Sequence, residues 1–530
     1  MRANSLKLFR SIPRYATSRP LPHQCATQGL RWSSTSKREW STPLAKQLAE
    51  AINTTGPISV AAYMRQCLTS DMGGYYTRQT PGHDQFGTKG DFITSPEISQ
   101  VFGELVGIWL YTEWIAQGKK DKVHIVEVGP GRGTLMSDVL RTISSFKPFA
   151  NSVQTIYMVE ASEQLRKQQA QLLSGTEEVK ETDIGWTAPC KYIPGCNITW
   201  CEDIRFVPKD ETSTPFILAH EFFDALPIHV FQNVANSTLP AASTTITPDG
   251  PITPKHGPQV PKNNWHELVV SPLPPPTLHT PTSSSSSKEP PPEFHLTVSQ
   301  SPTPHSLYLP HLSNRYKKLQ NTPDAIIEIS PESLSYISDF AVRIGGDNPP
   351  SSSSPSSSPP TAAKPTTTYT PNTSTQTTPF HKRTPSGAAL ILDYGPANTI
   401  PTNTLRGIRA HQPVSPFVAP GLVDLSADVD FLALAESALS ASPGVEVHGP
   451  VEQAFFLGSL GIKERIERLA KGSKGEEGEE VKKRLETSWK RLVDRGPTGM
   501  GRIYKVMALL PYLEGTMVRR PVGFGGDFVG

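Results

Sequence analysis

The amino-acid sequence predicts an α/β fold that is built on a mostly parallel β-sheet. From residue 124 onwards, runs of β-branched and other apolar residues alternate with segments whose apolar residues recur at helical spacing. A glycine-rich turn joins the first strand to the helix that follows it, and polar residues stand at the end of each strand. Because the carboxyl ends of strands in such a sheet share one crevice, the sequence predicts one site at that edge.

Residues 1–40 are expected to lie outside this fold. The first 38 residues contain Arg and Lys but no Asp or Glu, together with serines, threonines and a few large apolar residues. This composition is typical of a mitochondrial transit peptide, and a disordered basic tail is the alternative. The mature protein is therefore expected in the mitochondrial matrix, where a reducing environment suits the odd count of five cysteines.

Composition argues against several classes of function. A formal net charge of +2 over 530 residues leaves no basic surplus for binding nucleic acid. The sequence has no apolar run close to the roughly 18–20 residues of a membrane helix, so stable membrane insertion is not expected. Cys190, Cys196 and Cys201 are spaced too widely for paired zinc ligands and have no cluster of histidines nearby, so no metal site is predicted.

Residues 41–118 are predicted to form an N-terminal helical segment that contributes to the site. Ser95 is the expected N-cap of a helix in which Pro96 and Glu97 occupy the first turn. The apolar residues that recur along this helix are expected to serve packing. The polar residues at its beginning, Thr94 and Ser95, are better candidates for contact with a ligand.

The first strand and its turn carry the most specific signal, in a core predicted to span residues 119–234. Glu127 lies at the end of the strand, and Gly129, Gly131 and Gly133 follow at every second position before a helix begins. Glycines allow a flat ligand to lie against the main chain. The amides at the beginning of the helix can then face polar groups of that ligand.

The spacing of the glycines indicates which ligand is bound. A dinucleotide fingerprint requires G-x-G-x-x-G, whereas the chain has G-x-G-x-G preceded by an acid. The carboxylate of Glu127 suits a ligand with a positively charged amino-acid end, which S-adenosylmethionine has and a dinucleotide lacks. A nucleotide-dependent oxidoreductase is the weaker alternative, and a glycine-rich turn without any ligand is another.

Each later strand of the core also ends in polar residues. Glu160 follows the second strand and Asp203 follows the third. His220, Glu221 and Asp224 follow the fourth. Because these strand ends meet in one crevice, the five residues are expected to surround a single site.

Residues 235–386 are predicted to form the substrate-side part of the fold. Three segments rich in Pro, Ser and Thr, at 235–263, 271–305 and 345–386, cannot bury enough apolar surface to offset the entropy of ordering and are predicted to be disordered loops. Sheet-forming sequence resumes at 265–270, 325–329 and 388–394, and a helix is predicted to begin at Pro331.

Residues 387–530 are predicted to complete the same domain. Ser426 is the expected N-cap of a helix whose first turn is acidic. Residues 471–483 are charged and contain glycine, which is typical of a solvated loop, and residues 503–510 are expected to form a final strand.

The glycine-rich turn and the strand-end acids together resemble the class I S-adenosylmethionine-dependent methyltransferases, which have a Rossmann-like sheet. The resemblance implies that Gly129, Gly131 and Gly133 back the methionine and ribose portions of the cofactor. It also implies that Glu160 binds the ribose hydroxyls and that Asp203 meets the adenine amino group. The product of such a reaction is S-adenosyl-L-homocysteine.

Longer motifs make the resemblance narrower. Residues 90–100, 126–135 and 220–227, with the later sequences at 393–395 and 424–431, are similar to the motif set of the MidA-like mitochondrial arginine methyltransferases. Members of that family are complex I assembly factors that dimethylate an arginine of a core hydrophilic subunit. The resemblance implies the same activity, substrate and partner for this chain.

Within this resemblance, His220, Glu221 and Asp224 are the candidate catalytic residues. Glu221 and Asp224 are suited to hold a guanidinium group through paired hydrogen bonds, and His220 is suited to accept the released proton. Two alternatives stay open: an assembly chaperone that binds the cofactor without turnover, and a methyltransferase that acts on a small molecule. The sequence leaves the oligomeric state, including a homodimer, undecided.

Overall fold

A nine-stranded β-sheet lies at the centre of the computed structural model. The structure describes residues 38–78, 94–176, 178–234, 245–247, 250–252, 265–274, 291–347, 380–472, 476–515 and 519–525. The strands within these residues are β1 (Ile58–Ser59), β2 (Val123–Val128), β3 (Val153–Val159), β4 (Lys180–Thr182), β5 (Gly185–Pro189), β6 (Asn197–Cys201), β7 (Thr214–His220), β8 (His229–Asn233), β9 (Thr245–Thr247), β10 (Gly250–Ile252), β11 (Trp265–Pro272), β12 (Phe294–Val298), β13 (Ile326–Ile329), β14 (Ala388–Tyr394), β15 (Arg406–Arg409), β16 (Gln412–Val414), β17 (Asp424–Ser426), β18 (Val445–Glu452) and β19 (Tyr504–Pro511).

The helices of the described residues lie between these strands. They are α1 (Pro43–Thr55), α2 (Val60–Thr69), α3 (Ser95–Ile98), α4 (Gln100–Ala116), α5 (Thr134–Ile143), α6 (Lys147–Ser152), α7 (Glu163–Ser174), α8 (Pro304–Tyr308), α9 (Asn314–Lys317), α10 (Pro331–Gly345), α11 (Phe431–Ala441), α12 (Gln453–Ser459), α13 (Ile462–Gly472) and α14 (Glu476–Val493). Short 3-10 turns occur at Ile204–Phe206 and Leu309–His311. No helix in the described ranges is both long enough and apolar enough to cross a membrane.

Five neighbouring strands form the parallel centre of the sheet, in the spatial order β14-β7-β2-β3-β6. Beyond β14 the sheet continues antiparallel with β19 and β18, and beyond β6 with β5 and β4. The chain enters at β2, moves to one side with β3 and β6, and then returns to the other side with β7 and β14. The carboxyl ends of β2, β3 and β7 therefore surround a topological switch point, where open α/β sheets bind their ligands.

Helices cover both faces of the central sheet. One apolar cluster joins α4 and α5 with α12, α13 and α14, and a second joins α10 and α11 on the opposite side. Every residue of β7 is buried, as is every residue of β14 except the last. Burial on both faces explains why these strands appear in the sequence as nearly continuous apolar runs rather than as alternating patterns.

A second, antiparallel sheet lies beside the N-terminal helices. Its strands β1, β11, β8 and β13 are neighbours, and β12 pairs with β11. The helices α1 and α2 pack on it through an apolar cluster that includes Leu48, Tyr63 and Phe294. The side chains of Thr42 and Ser59 accept hydrogen bonds from the amides at the starts of α1 and α2, respectively, which explains where both helices begin.

The predicted α/β fold with a mostly parallel sheet is confirmed. The strands predicted at 265–270, 325–329, 388–394 and 503–510 correspond to β11, β13, β14 and β19. The helix predicted from Pro331 is α10, and Ser330 caps it. The predicted transit peptide and most of the Pro/Ser/Thr-rich sequence lie outside the described residues.

Two predicted helix starts are wrong. Asp430 caps α11, and Ser426 instead ends β17, where it pairs with Arg406 of β15. Thr94 caps α3 in place of Ser95, and Glu97 completes the capping box by accepting from the Thr94 amide.

Four predicted loops are also partly ordered. Residues 245–247 and 250–252, within the predicted loop 235–263, pair as strands β9 and β10. In the predicted loop 345–386, Gly345 ends α10, and residues 380–386 are also described. Residues 476–483 belong to α14, because Glu and Lys are good helix formers and the pair Glu479 and Lys482 is spaced for contact on a helix surface. Residues 294–298 form β12, which is ordered by its hydrogen bonds to β11. Composition alone did not reveal this pairing.

Candidate active site

A cavity of about 310 Å³ lies at the switch point of the central sheet. Eight of the eleven residues that the sequence predicted for the site line it: Thr94, Glu127, Gly129, Gly131, Glu160, His220, Glu221 and Asp224. The cavity also receives residues from the N-terminal segment and from β17. The site is therefore assembled from the parallel sheet together with parts of the chain that lie far from it in sequence.

The glycine-rich turn forms one wall of the cavity. The φ angles of Gly129, Gly131 and Gly133 are 62°, 53° and 81°, a region that favours glycine. A Cβ atom on Gly129 would lie 2.6 Å from the ring of Phe222. The side-chain amide of Gln169 donates a hydrogen bond to the Gly131 carbonyl oxygen at 2.6 Å, which fixes the turn. The turn therefore offers its main chain to a ligand.

Two buried carboxylates lie at the ends of β2 and β3. Burial and the neighbouring Glu160 raise the pKa of Glu127 to about 8. One carboxylate oxygen of Glu127 has no hydrogen-bond partner among the described residues. Burial raises the pKa of Glu160 to about 7, although the Ser162 amide donates to it at 2.8 Å. A ligand with a positive charge would favour the ionised form of both groups.

The opposite wall carries the three predicted catalytic residues: His220 ends β7, and Glu221 and Asp224 follow it. Glu221 has a φ angle of 48°, and its amide donates to the Leu392 carbonyl oxygen at 2.9 Å. Such a conformation costs energy in a residue other than glycine and is concentrated at functional sites. Burial and the nearby Asp224 carboxylate raise the pKa of Glu221 to about 8, and burial raises the pKa of Asp224.

His220 is a buried neutral neighbour of these carboxylates. Burial lowers the pKa of His220 to about 3. Its Nε2 atom lies 3.4 Å from Oε1 of Glu221, and its ring packs against the edge of Phe102 at a centroid distance of 5.2 Å. At neutral pH the imidazole is therefore uncharged and is a weak base.

Sequence reasoning missed two aspartates at this wall. Asp424, the first residue of β17, lines the cavity and accepts hydrogen bonds of 3.1 Å from the Tyr76 hydroxyl at both carboxylate oxygens. Asp393, near the end of β14, accepts hydrogen bonds from the amides of Phe222 and Phe223 at 3.1 and 2.9 Å. Both aspartates belong to motifs that the sequence already singled out, but only the fold brings them beside Glu221 and Asp224.

Three predicted cofactor residues lie outside the cavity lining. Asp203 forms two hydrogen bonds of 2.9 Å with the Arg205 guanidinium, and the adjacent Glu202 lines the cavity instead. The position of Asp203 therefore does not support contact with the adenine. Gly133 is the N-cap of α5 and faces Gln169, and Ser95 is fully buried in the first turn of α3.

The residues of the cavity fit S-adenosylmethionine. The buried carboxylate of Glu127 with its unpartnered oxygen suits an ammonium group, because a buried charge requires a partner. Glu160, at the end of the next strand, suits hydroxyl groups that donate hydrogen bonds. The bare main chain at Gly129 and Gly131 accommodates a flat group against the turn.

The fold and the cavity define an S-adenosylmethionine-dependent methyltransferase, and a family model described as "Putative S-adenosyl-L-methionine-dependent methyltransferase" matches residues 105–451. The chain belongs to the NDUFAF7 family of mitochondrial protein arginine methyltransferases. It is 32% identical to the Rattus norvegicus protein, over 89% of this chain and 85% of that protein. The corresponding values are 31%, 90% and 86% for the Homo sapiens protein, and 33%, 88% and 85% for the Drosophila melanogaster homolog. The names of these relatives imply a mitochondrial location.

Solved structures share the fold. A COG1565 superfamily member from Burkholderia thailandensis, bound to S-adenosyl-homocysteine, aligns with a TM-score of 0.56 over 91% of this chain and 92% of that chain, at 18% identity. The native crystal structure of a COG1565 superfamily protein from the same organism aligns with a TM-score of 0.55. The cofactor of the present protein is S-adenosylmethionine, consistent with its family and with the geometry of the cavity.

Proposed function

We propose that this protein transfers the methyl group of S-adenosylmethionine to the guanidinium group of a protein arginine. The observation that carries the proposal is the cluster of carboxylates from Glu221, Asp224 and Asp424 in the wall opposite the glycine-rich turn. Carboxylates bind a planar guanidinium through paired, charge-assisted hydrogen bonds. The names of the relatives, which are protein arginine methyltransferases, support the same substrate.

The ionisation of these carboxylates also favours a cationic substrate. Without a ligand, burial and repulsion by Asp224 raise the pKa of Glu221 to about 8, and burial raises the pKa of Asp224. The pKa of a guanidinium group is above about 12, so the group is protonated at neutral pH and would bring a positive charge to the wall. That charge favours the ionised carboxylates, and binding of the arginine thus completes the clamp.

The cofactor supplies an electrophilic methyl group on a positively charged sulfur. During transfer a carbon–nitrogen bond forms, the carbon–sulfur bond breaks, and the nitrogen loses one proton. The carboxylates orient the guanidinium plane and draw its positive charge to the nitrogens that do not react. Glu221, which the bound guanidinium keeps ionised, is better suited than His220 to take the proton, because burial lowers the pKa of His220 to about 3. His220 then acts as a neutral neighbour that excludes water.

The cofactor-binding residues in this proposal are those that face the cavity from the glycine-rich side. Glu127 binds the ammonium group, Glu160 binds the ribose hydroxyls, and Gly129 and Gly131 lie against the cofactor with their main chain. Thr94 borders the same cavity from the start of α3. The burial of Glu127 and Glu160 at the ends of their strands supports these roles, as does the oxygen atom of Glu127 that has no partner among the described residues.

The proposed protein substrate is a core hydrophilic subunit of respiratory complex I, with an arginine that becomes dimethylated in the mitochondrial matrix. The similarity of the motifs at 90–100, 126–135 and 220–227 to those of the MidA-like family supports this assignment. It makes the protein a factor in the assembly of that complex.

Transfer of a labelled methyl group tests the proposal. The purified protein is incubated with labelled S-adenosylmethionine and complex I subunits, and the labelled residue is mapped by mass spectrometry. Label on an arginine is expected. A protein that binds the cofactor but labels no arginine would be an assembly chaperone, and label that appears only in small molecules would indicate a different acceptor.

Glu221→Gln tests the clamp within the same assay. Loss of the negative charge is expected to reduce the rate of methyl transfer by about 10²–10⁴-fold while the affinity for S-adenosyl-L-homocysteine stays within twofold. Glu163→Gln is the matched control, because Glu163 is exposed and pairs with Lys167 on the surface of α7. Unchanged transfer by the Glu221 variant would contradict the role of this carboxylate.

A further inference from the structure

A group of two histidines and a glutamate lies where the antiparallel sheet meets α8. His229 begins β8, Glu267 lies in β11, and His305 lies in α8. Each side chain offers one metal-ligating atom, and these atoms all lie within 4.8 Å of one another. These three described residues do not line the candidate active site. The mechanism above therefore does not account for them.

The three side chains lie close enough together to share a ligand after small rotations. Nδ1 of His229 lies 2.6 Å from Oε1 of Glu267, and Nδ1 of His305 lies 3.9 Å from the other carboxylate oxygen. The rings of His229 and His305 have their centroids 4.1 Å apart. The side chains of Glu267 and His229 are 2% and 9% exposed, whereas that of His305 is 52% exposed. The group is thus buried on one side and open to solvent on the other.

We propose that His229, Glu267 and His305 bind one zinc ion, with a fourth coordination position open to solvent. Two imidazole nitrogens and one carboxylate oxygen are ligands that Zn²⁺ prefers. With bonds of about 2.0–2.2 Å, tetrahedral ligand atoms lie about 3.3–3.5 Å apart. When zinc binds, Nδ1 of His229 and Oε1 of Glu267 must therefore move apart from their present 2.6 Å, and the exposed His305 must move closer. Rotation of the side chains allows both movements.

A further hydrogen bond orients the carboxylate for this role. The hydroxyl of Thr303 donates to Oε2 of Glu267, just before α8 begins. Hydrogen bonds of this kind to metal ligands fix their orientation and tune their affinity. The sequence did not indicate the site, because each of these ligands is separated from the next by 38 residues and only the fold brings them together.

The ion would attach α8 to the antiparallel sheet. This helix exposes large apolar side chains, with Leu307 56% and Tyr308 65% exposed. Few apolar contacts therefore stabilise the exposed side of α8. Bonds from the ion to His229 and Glu267 in the sheet would provide stabilisation in their place. Binding of zinc is thus expected to order residues 303–312 against the sheet.

Metal titration of the full-length protein tests the site. The protein is stripped with a chelator and titrated calorimetrically with ZnCl₂, with MgCl₂ as the ionic control, and CoCl₂ is added separately to record the visible absorption of four-coordinate Co²⁺. His305→Ala is the main variant, because removal of an exposed side chain spares the fold. His381→Ala is the matched control, because His381 is also exposed and belongs to no such group.

One tightly bound zinc ion per wild-type chain is expected, with the absorption of tetrahedral Co²⁺. His305→Ala is expected to weaken zinc binding by at least about tenfold and to remove that absorption. His381→Ala should bind zinc as the wild type does, and the affinity for S-adenosyl-L-homocysteine should stay unchanged in both variants. Zinc is also expected to slow hydrogen exchange at residues 303–312 in the wild type alone. Equal zinc affinity in the wild type and His305→Ala, or no preference for Zn²⁺ over Mg²⁺, would overturn the proposal.

Discussion

Two features of Glu127 are rarely found together in a folded protein unless the residue binds a ligand. Its carboxylate is buried at the end of β2, and one oxygen has no partner in the described part of the chain. Burial and Glu160 raise its pKa to about 8, so the free protein keeps a proton there at neutral pH. A cationic ligand binds the ionised form, and proton release is thus coupled to cofactor binding.

Cofactor affinity should consequently depend on pH. Between pH 8 and pH 6 the free protein takes up a proton at Glu127, which competes with the ligand's ammonium group, so the affinity for S-adenosyl-L-homocysteine should fall by at least about tenfold. Glu127→Gln should bind more weakly at pH 8 and respond less to pH, with Glu160 accounting for the remaining slope. Calorimetric titration at both pH values measures this. The same slope in the variant and in the wild type would count against proton coupling at Glu127.

Gly131 supports a second prediction for a single residue. Gly131→Val should abolish binding of S-adenosyl-L-homocysteine, because φ is 53° and the residue lines the cavity. Gly118→Val is the matched control: φ is 83°, but a Cβ there meets no atom within 4 Å. Both variants should lose stability through backbone strain, and only the first should lose the cofactor. Circular dichroism and calorimetry separate the two effects, and tight binding by Gly131→Val would refute the assignment of the turn.

The sequence identified most of the strand-end residues that line the cavity, but not their long-range partners. Glu127, Glu160 and Glu221 could be predicted because a strand end at a switch point faces the ligand cavity. Glu202 lines the cavity and Asp203 does not, because Asp203 pairs with the Arg205 guanidinium. The types of the neighbouring residues do not reveal this contact. Tyr76 and Asp424 are 348 residues apart in the sequence, and no local sequence pattern predicts a contact between positions so far apart.

At the scale of elements, the start of α11 shows how a helix cap is chosen. Asp430 accepts a hydrogen bond from the Ala433 amide at 3.1 Å, and also binds the Arg315 guanidinium at 2.8 Å and the Tyr316 hydroxyl at 3.0 Å. Ser426 satisfies the sequence rule for a cap equally well, but its backbone pairs with β15. The β-ladder, a tertiary contact, therefore overrides the local preference.

This difference predicts unequal effects of two substitutions. Asp430→Ala should lower the free energy of unfolding by about 2–3 kcal/mol, because it removes a cap and leaves the Arg315 charge without this partner. Ser426→Ala should change it by less than about 0.5 kcal/mol, since the Ser426 side chain caps no helix and the pairing of its backbone with β15 does not depend on the hydroxyl. Urea denaturation measures both. Equal losses would contradict the assignment of Asp430 as the cap of α11.

At the scale of the whole molecule, the Pro/Ser/Thr-rich sequence between α10 and β14 raises the question of how much of the chain the fold requires. The amide of Asp347 donates to the Phe380 carbonyl oxygen at 2.9 Å, and the Phe380 amide donates to the Asp347 carboxylate. Asp347 and Phe380, which flank residues 348–379, are therefore hydrogen-bonded neighbours that a short turn can join. Loop length adds only slowly to the free-energy cost of closing a chain.

The boundary of a harmless deletion follows from these contacts. Composition placed the dispensable segment at 345–386, but the buried ammonium group of Lys382 donates to the carbonyl oxygens of Arg343 and Ser386 at 2.7 and 3.1 Å. Replacing 348–379 with a short Gly/Ser turn should keep cofactor affinity within twofold and leave the melting temperature within a few degrees of the wild type. Deleting 345–386 should lower that temperature markedly, because the Arg343 carbonyl oxygen loses its buried donor Lys382. Thermal melts with and without S-adenosyl-L-homocysteine compare the two, and equal melting temperatures would mean that residues 380–386 add nothing to the fold.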